Sequence, residues 1–376
     1  MPGSLLRLCL PFCLLVLGAC AGHPEPPEDP GAAIDAYLQG AYRPAVRLPV
    51  QGWDSEWTLG SEVVELSWLA PREAPAALIL YLPGLGEGSR AGEQWRRAWA
   101  EAGYAVLSVQ PKRYGRAIYS SSEAQAGVFY GLAQRSYAET ALRGRLALLD
   151  QVLGEVRRRA ALGEFAGVDL QRVVVAGFDL GAQTAAALAG ERLAGAAPAA
   201  AWQPLAAILL SPYVASPSEP QRFAQIATPL LAVTGAHDED PFNWVTPAQR
   251  RQQLWHGLQV ADSYQLLIDA AAHAQLSGSL VAQRSGRPGV RPPGNGAGPG
   301  AGSGPGGGHG GEVFSSRAGH GQGLEEAFDP RQAAKVQAVS LAFLDARVRH
   351  AAAAETWLNQ AAATWLAPAA SLERKP

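Results

Sequence analysis

The sequence predicts an α/β protein in which one mostly parallel sheet carries helices on both faces. Two observations carry this. Short aliphatic, β-rich runs recur along the chain with helical patterns between them. The composition, 48% hydrophobic and 17% charged, suits a large buried core rather than disorder. A length of 376 residues would ordinarily suggest two or three domains at ~150 residues each. The elements nevertheless form one continuous series, and a single domain is expected over 45–367.

The strand-like segments, in order, begin with Glu62 to Leu69, Ala77 to Leu82 and Tyr104 to Val109. A helical stretch from Gly92 to Ala102 separates the last two. Leu142, Leu146, Leu149, Leu153 and Val156 then recur at helical spacing. Arg172 to Ala176 reads as a buried strand that runs directly into a small-residue helix, Gly181 to Gly190. Leu205 to Leu210, Pro229 to Thr234 and Tyr264 to Ile268 complete the set. From Gly286 to Gly311 there are thirteen Gly and five Pro in 26 residues, so a disordered insertion is expected over 284–318. His309 and His320, isolated there, are weak evidence for a metal. Asp329-Pro330 supplies an N-cap and a first-turn proline for a long helix marked by Val336, Val339, Phe343 and Val348. Ala354 to Trp365 reads as a final helix with Trp357 and Trp365 as core anchors.

Charge and cysteine placement exclude several functions. There are 31 Lys+Arg against 33 Asp+Glu, which leaves no electrostatic footprint for nucleic acid. The three cysteines are Cys9, Cys13 and Cys20. The folded body therefore has no disulfide framework, no Cys-based metal site and no catalytic cysteine. Arg7 and the apolar run Leu8 to Leu17 read as an export signal, since a bilayer needs ~20 apolar residues. The run ends in Leu17-Gly18-Ala19-Cys20, which resembles a bacterial lipobox. That resemblance implies a signal peptide over 1–19 and a lipid, such as palmitate, on Cys20 that anchors the chain to a bilayer. Ala21 after the Cys resembles outer-membrane lipoproteins. The Pro-rich acidic stretch that follows predicts a flexible tether over 20–44.

The informative segment is Val173-Val174-Val175-Ala176-Gly177-Phe178-Asp179-Leu180-Gly181. An apolar strand enters Gly-x-Asp-x-Gly, and a helix of small residues follows. The pattern resembles the nucleophile elbow of the α/β-hydrolase superfamily, where the central residue sits in a tight strand-to-helix turn. Three further matches fall in that superfamily's order. Pro83-Gly84-Leu85-Gly86 resembles the oxyanion loop, which implies the backbone N–H groups of Leu85 and Leu180 as donors. Gly235-Ala236-His237-Asp238 resembles the acid loop, with Glu239 and Asp240 as rivals to Asp238. Asp269-Ala270-Ala271-Ala272-His273 resembles the histidine loop. His237, His256 and His350 read as surface or structural residues. Arg157, Arg158 and Arg159 read as a solvated helix end that complements the helix dipole. Only sixteen residues, Pro212 to Ala227, separate two strands where a cap domain would lie, so no cap is expected. The arrangement resembles the capless dienelactone-hydrolase-like and polyester-hydrolase-like branch. It implies hydrolysis of small esters, lactones or related compounds, with Asp179, Asp238 and His273 catalytic. No cofactor or metal is implied, and the ligand is an unidentified small molecule.

The superfamily's usual residue at the elbow is Ser, and three readings of Asp179 stay open. Asp179 is a carboxylate nucleophile toward an sp³ carbon, with His273 activating water against the resulting ester. Alternatively, a carbonyl substrate is hydrolysed with Asp179 as general base, or with Ser89 or Ser211 as a poorly placed substitute nucleophile. In the third reading, Asp179 pairs with a His273 held protonated between two carboxylates, and the protein is an inactive hydrolase-fold lipoprotein that binds a ligand.

Overall fold

A computed structural model describes residues 30–73, 75, 77–165, 167–193, 202–215, 220–240, 244–279 and 329–376. Its centre is a nine-stranded sheet in the order β1-β2-β4-β3-β5-β6-β7-β8-β9. The strands are β1 Val50–Leu59, β2 Glu62–Pro71, β3 Leu78–Leu82, β4 Ala105–Pro111, β5 Val173–Phe178, β6 Ala207–Leu210, β7 Leu230–His237, β8 Tyr264–Ala272 and β9 Ala370–Arg374. The six strands from β4 to β8 in this order are parallel, while β2 pairs antiparallel with both β1 and β4 and β9 pairs antiparallel with β8. This is the α/β-hydrolase fold that the sequence predicts.

Strand periodicity divides the core between the two faces. In β3, Leu78, Leu80 and Leu82 pack with α5 (Glu139–Ala160) and α6 (Leu180–Leu188). Ile79 and Tyr81 point the other way, into the layer holding Trp95 and Trp99 of α2 (Glu93–Glu101) and Phe343 of the long helix Pro330–Val348. That long helix starts as its sequence requires. The Asp329 carboxylate accepts the Arg331 backbone N–H at 2.8 Å, and Pro330 occupies the first turn.

Three boundaries differ from the sequence reading. The tether expected over 20–44 is structured from residue 30. Helix α1 (Pro30–Ala36) buries Ile34, and Leu38 follows it into the core. The i, i+4 spacing of these two residues is a helical apolar pair that the acidic Pro-rich context obscured. The domain also extends past 367, because β9 adds an edge strand. Strand β1 was not anticipated either: of its ten residues only Trp57 is buried. Trp357 and Trp365 are half-buried rather than core anchors. Their indole N–H groups donate to the carbonyls of Gly40 and Gln39, so they clasp the N-terminal segment, while Leu358 and Leu366 enter the core. The signal segment, Cys20 and the insertion at 284–318 lie outside the described residues. Among those described, no helix is long and apolar enough to cross a membrane.

Between β6 and β7 the described residues form only a short helical turn, Pro220–Gln225, and among them there is no cap domain. The carboxyl edge of the sheet is covered instead by the stretch between β4 and α5. Its helices are α3 (Ser122–Gln125) and α4 (Phe129–Tyr137). Ile118, Leu132 and Tyr137 from this stretch pack with Leu85 and Leu180 in a small apolar cluster over the elbow.

Candidate active site

Asp179 lies between β5 and α6 with φ +53° and ψ −109°. A non-glycine residue in that region carries a cost of about 1–3 kcal/mol, which the surroundings must enforce. They do so through the backbone. The Asp179 N–H donates to Leu210 O at 3.0 Å, and its carbonyl accepts from Gln183 N at 3.1 Å. The flanking glycines are sterically required. A Cβ on Gly181 would sit 1.8 Å from Leu82 O, and one on Gly177 would sit 2.4 Å from the Gly181 carbonyl. The tight turn exists because β3, β5 and α6 approach more closely there than any side chain allows.

The structure brings Asp179, His273 and Asp238 together from three different loops. His273 follows β8 directly. Its Nδ1 lies 2.7 Å from Asp238 Oδ1, and its Nε2 lies 3.9 Å from Asp179 Oδ1. Its ring rests on Phe178 at 4.8 Å between centroids. Asp238 is fully buried. Its carboxylate accepts the Ser211 hydroxyl at 2.7 and 2.9 Å and the Thr234 hydroxyl at 2.8 Å. Glu239 is exposed, and Asp240 accepts the Trp244 backbone N–H at 3.3 Å, so Asp238 is the acid that meets the histidine. His237, His256 and His350 are exposed. Ser211 is buried and its hydroxyl is committed to Asp238, so it does not stand in for a nucleophile.

Arg251 completes the base pair and was not anticipated. It is buried, and its guanidinium reaches the backbone carbonyls of Asp238 (2.8 Å), Ser211 (3.1 Å) and Pro212 (3.1 Å). Its Nε is 3.2 Å from Asp238 Oδ1, and its Nη2 is 3.2 Å from His273 Nδ1. Because Nδ1 donates to Asp238, the second contact is a close approach of a cation rather than a hydrogen bond. Burial alone would raise the Asp238 carboxyl, but Arg251, His273 and Ser211 together hold it below the usual range. Burial likewise disfavours a charged His273. The Asp238 hydrogen bond and the charges of Asp238 and Asp179 outweigh both burial and Arg251, so its pKa is raised.

Tyr137, at the end of α4, was also missed. Its hydroxyl donates a short hydrogen bond to Asp179 Oδ1. Asp179 Oδ2 accepts no hydrogen bond among the described residues. The backbone N–H groups of Leu85 and Leu180 likewise have no partner among the described residues. The loop bearing Leu85 is held by Glu87, whose Oε2 accepts Gly84 N at 2.8 Å and whose Oε1 accepts Ser277 Oγ at 2.6 Å. Glu87 thereby links the loop bearing Leu85 to the turn that follows His273.

The class this defines is an α/β-hydrolase fold with a carboxylate at the elbow. No family model matches the chain, and no curated protein matches it. Among solved structures it is similar to a dienelactone hydrolase-like promiscuous phosphotriesterase from metagenomic libraries. The identity is 19% and the TM-score 0.39, over 60% of this chain and 83% of that one. The assignment of fold rests on the sheet order and the elbow described above.

Proposed function

We propose that the protein is a hydrolase in which Asp179 is a carboxylate nucleophile toward electrophilic sp³ carbon. Its substrates are small strained lactones, activated alkyl esters or related compounds. The observation that carries this reading is the asymmetry of the Asp179 carboxylate. One oxygen is tied to Tyr137, while the other accepts no hydrogen bond among the described residues. A carboxylate attacking an ester carbonyl would yield an uphill anhydride. Attack on an sp³ carbon yields an ordinary ester, and the leaving oxygen departs with its electron pair. The unpartnered amides of Leu85 and Leu180 supply donors for an oxygen that gains charge.

The raised pKa of His273 fits this sequence of steps. In the resting site the Asp179 charge is one of the influences that raise the His273 pKa. Esterification removes that charge, which lowers the pKa of His273 at the moment a base is needed. Water then adds to the ester with its proton passing to Nε2.

One observation favours a second reading. His273 faces two carboxylates at 2.7 and 3.9 Å, an arrangement that also suits an inert polar clasp in a ligand-binding cleft. Labelled water separates the two. Turnover of a panel of β-propiolactone, an epoxide and a haloalkane in ¹⁸O-water is expected to place the label in the Asp179 carboxylate, read by peptide mass spectrometry. In a single turnover, the product hydroxyl would carry unlabelled oxygen from the protein. Label in the product alone would mean general-base attack by water. No turnover of any compound would favour the binding protein.

We further propose that the chain is a lipoprotein, lipidated at Cys20 and held at the outer membrane. The lipobox-like Leu17-Gly18-Ala19-Cys20 supports this. Incorporation of labelled palmitate in a bacterial host, lost in Cys20→Ala, is the expected result.

A further inference from the structure

We propose that Tyr137 is a catalytic residue with two successive duties: it selects which oxygen of Asp179 attacks, and it then holds the charge of the tetrahedral intermediate. This rests on the reading of Asp179 as nucleophile.

The argument starts from which atom is bonded. Tyr137 donates to Oδ1, and a carboxylate oxygen that accepts a strong hydrogen bond is the poorer nucleophile of the two. Attack therefore falls to Oδ2. Its electron pair forms the bond to the substrate carbon, and the carbon–oxygen bond to the leaving group breaks with its pair on oxygen. Asp179 is now an ester whose bridging oxygen is Oδ2 and whose carbonyl oxygen is Oδ1. Tyr137 is still on Oδ1. Water gives a proton to His273 Nε2 as its oxygen bonds to Cγ, and the carbonyl pair moves onto Oδ1. The negative charge appears on the one atom that already has a donor in place. Collapse restores the carbonyl and breaks the Cγ–Oδ2 bond. The departing alkoxide takes the proton from His273, and Asp179 keeps the oxygen of the water as a carboxylic acid, whose remaining proton passes to solvent to restore the carboxylate. A donor fixed beforehand on the atom that gains charge needs no reorganisation during the step.

The surroundings fix Tyr137 relative to Asp179. Its ring stacks on Tyr213 at 4.6 Å between centroids. Its backbone carbonyl accepts Gln183 Nε2 at 2.9 Å, and the carbonyl of Ser136 accepts Arg145 Nη1 at 2.7 Å. Arg145 in turn donates to Gln183 Oε1 at 2.5 Å and to Thr184 Oγ1 at 2.8 Å. Gln183 and Thr184 belong to α6, the helix that Asp179 opens. The helix behind the nucleophile thus grips the residue that touches it, and hydroxyl and carboxylate are held as one unit. Burial pushes the Tyr137 hydroxyl well above its ordinary range, which keeps it a donor at any working pH.

The test treats the full-length wild type, Tyr137→Phe and His273→Gln with β-propiolactone, quenches at intervals and follows the adduct on the Asp179 peptide. His273→Gln is expected to accumulate it. Tyr137→Phe, with His273 intact, is expected to form the adduct and hold it, with breakdown slowed about 100-fold relative to wild type. Phe preserves the stacked ring. If that variant does not fold, Gln183→Met loosens the Tyr137 backbone while keeping the hydroxyl, and selective slowing of adduct breakdown is expected there too. A Tyr137→Phe protein that turns over without accumulating adduct overturns the inference, as does equal slowing of formation and breakdown. If His273→Gln shows adduct in those cases, the nucleophile reading stands and only the role of Tyr137 is lost. If His273→Gln shows none, both fall.

Discussion

Replacing Arg251 by Met keeps most of the hydrocarbon stem and removes the guanidinium that underlies the Asp238–His273 pair. Two losses follow. Asp238, fully buried, keeps only Ser211, Thr234 and His273 as partners and loses the cation 3.2 Å away. Breaking one side of a buried ion pair costs about 3–5 kcal/mol. The carbonyls of Asp238, Ser211 and Pro212 also lose a donor. Each hydrogen bond of that kind contributes about 1 kcal/mol net, although these oxygens keep some freedom to find water. The expected destabilisation is therefore about 5 kcal/mol, a large part of the ~5–15 kcal/mol available to a folded domain. The assay is equilibrium urea unfolding, with the slope compared between variant and wild type. A second readout comes from the same substitution. Arg251 holds the His273 pKa down, so its removal shifts the titration of His273 to higher pH in the folded protein. A loss below about 2 kcal/mol at unchanged slope, or an imidazole that titrates at lower pH by NMR, would refute the idea that Arg251 is the counter-charge of this site.

Two further outcomes are expected. Gly181→Ala places a Cβ where Leu82 O stands, so β3 and α6 must separate; a cost of at least about 1–3 kcal/mol should appear in the urea midpoint, and a neutral result would contradict the described approach. The pH dependence has a definite sign. His273 has a raised folded pKa, so its contribution is complete below about pH 6.5 and is lost as pH rises through the folded value. Asp238 has a lowered folded pKa, so its contribution is complete above about pH 4 and is lost as pH falls through the folded value. The stability difference between wild type and His273→Gln should thus shrink toward alkaline pH, and a difference that grows there would be inconsistent with the geometry.

What the sequence made legible was whatever local pattern encodes. The elbow could be read because Gly177 and Gly181 bracket a turn that no other residue type permits, and Asp238 and His273 because each follows the end of an apolar strand. Tyr137, Arg145 and Arg251 carried no such mark. Arg251 sits in the run Gln249-Arg250-Arg251-Gln252-Gln253, which reads as solvated surface. Only the folded arrangement of β6, β7 and the loop after β7 turns one of those two arginines inward. Tyr137 belongs to a stretch 42 residues before Asp179, and nothing in either segment announces the other. Ile34 and Leu38 did carry a local signal, at helical spacing, but it was outweighed by the prolines before them.

The cover over the elbow has a consequence for how this protein diversifies. It is one uninterrupted stretch of chain, entered from β4 and left into α5, and it places Tyr137 on Asp179 without supplying a strand to the sheet. Asp238, His273 and the loop bearing Leu85 are all held elsewhere. Outside Tyr137 such a segment is exchangeable: its length and other side chains can drift with the arrangement of Asp179, Asp238 and His273 left standing. Selection for a new substrate would be read first in those residues, and a library confined to them is the economical place to look for altered preference.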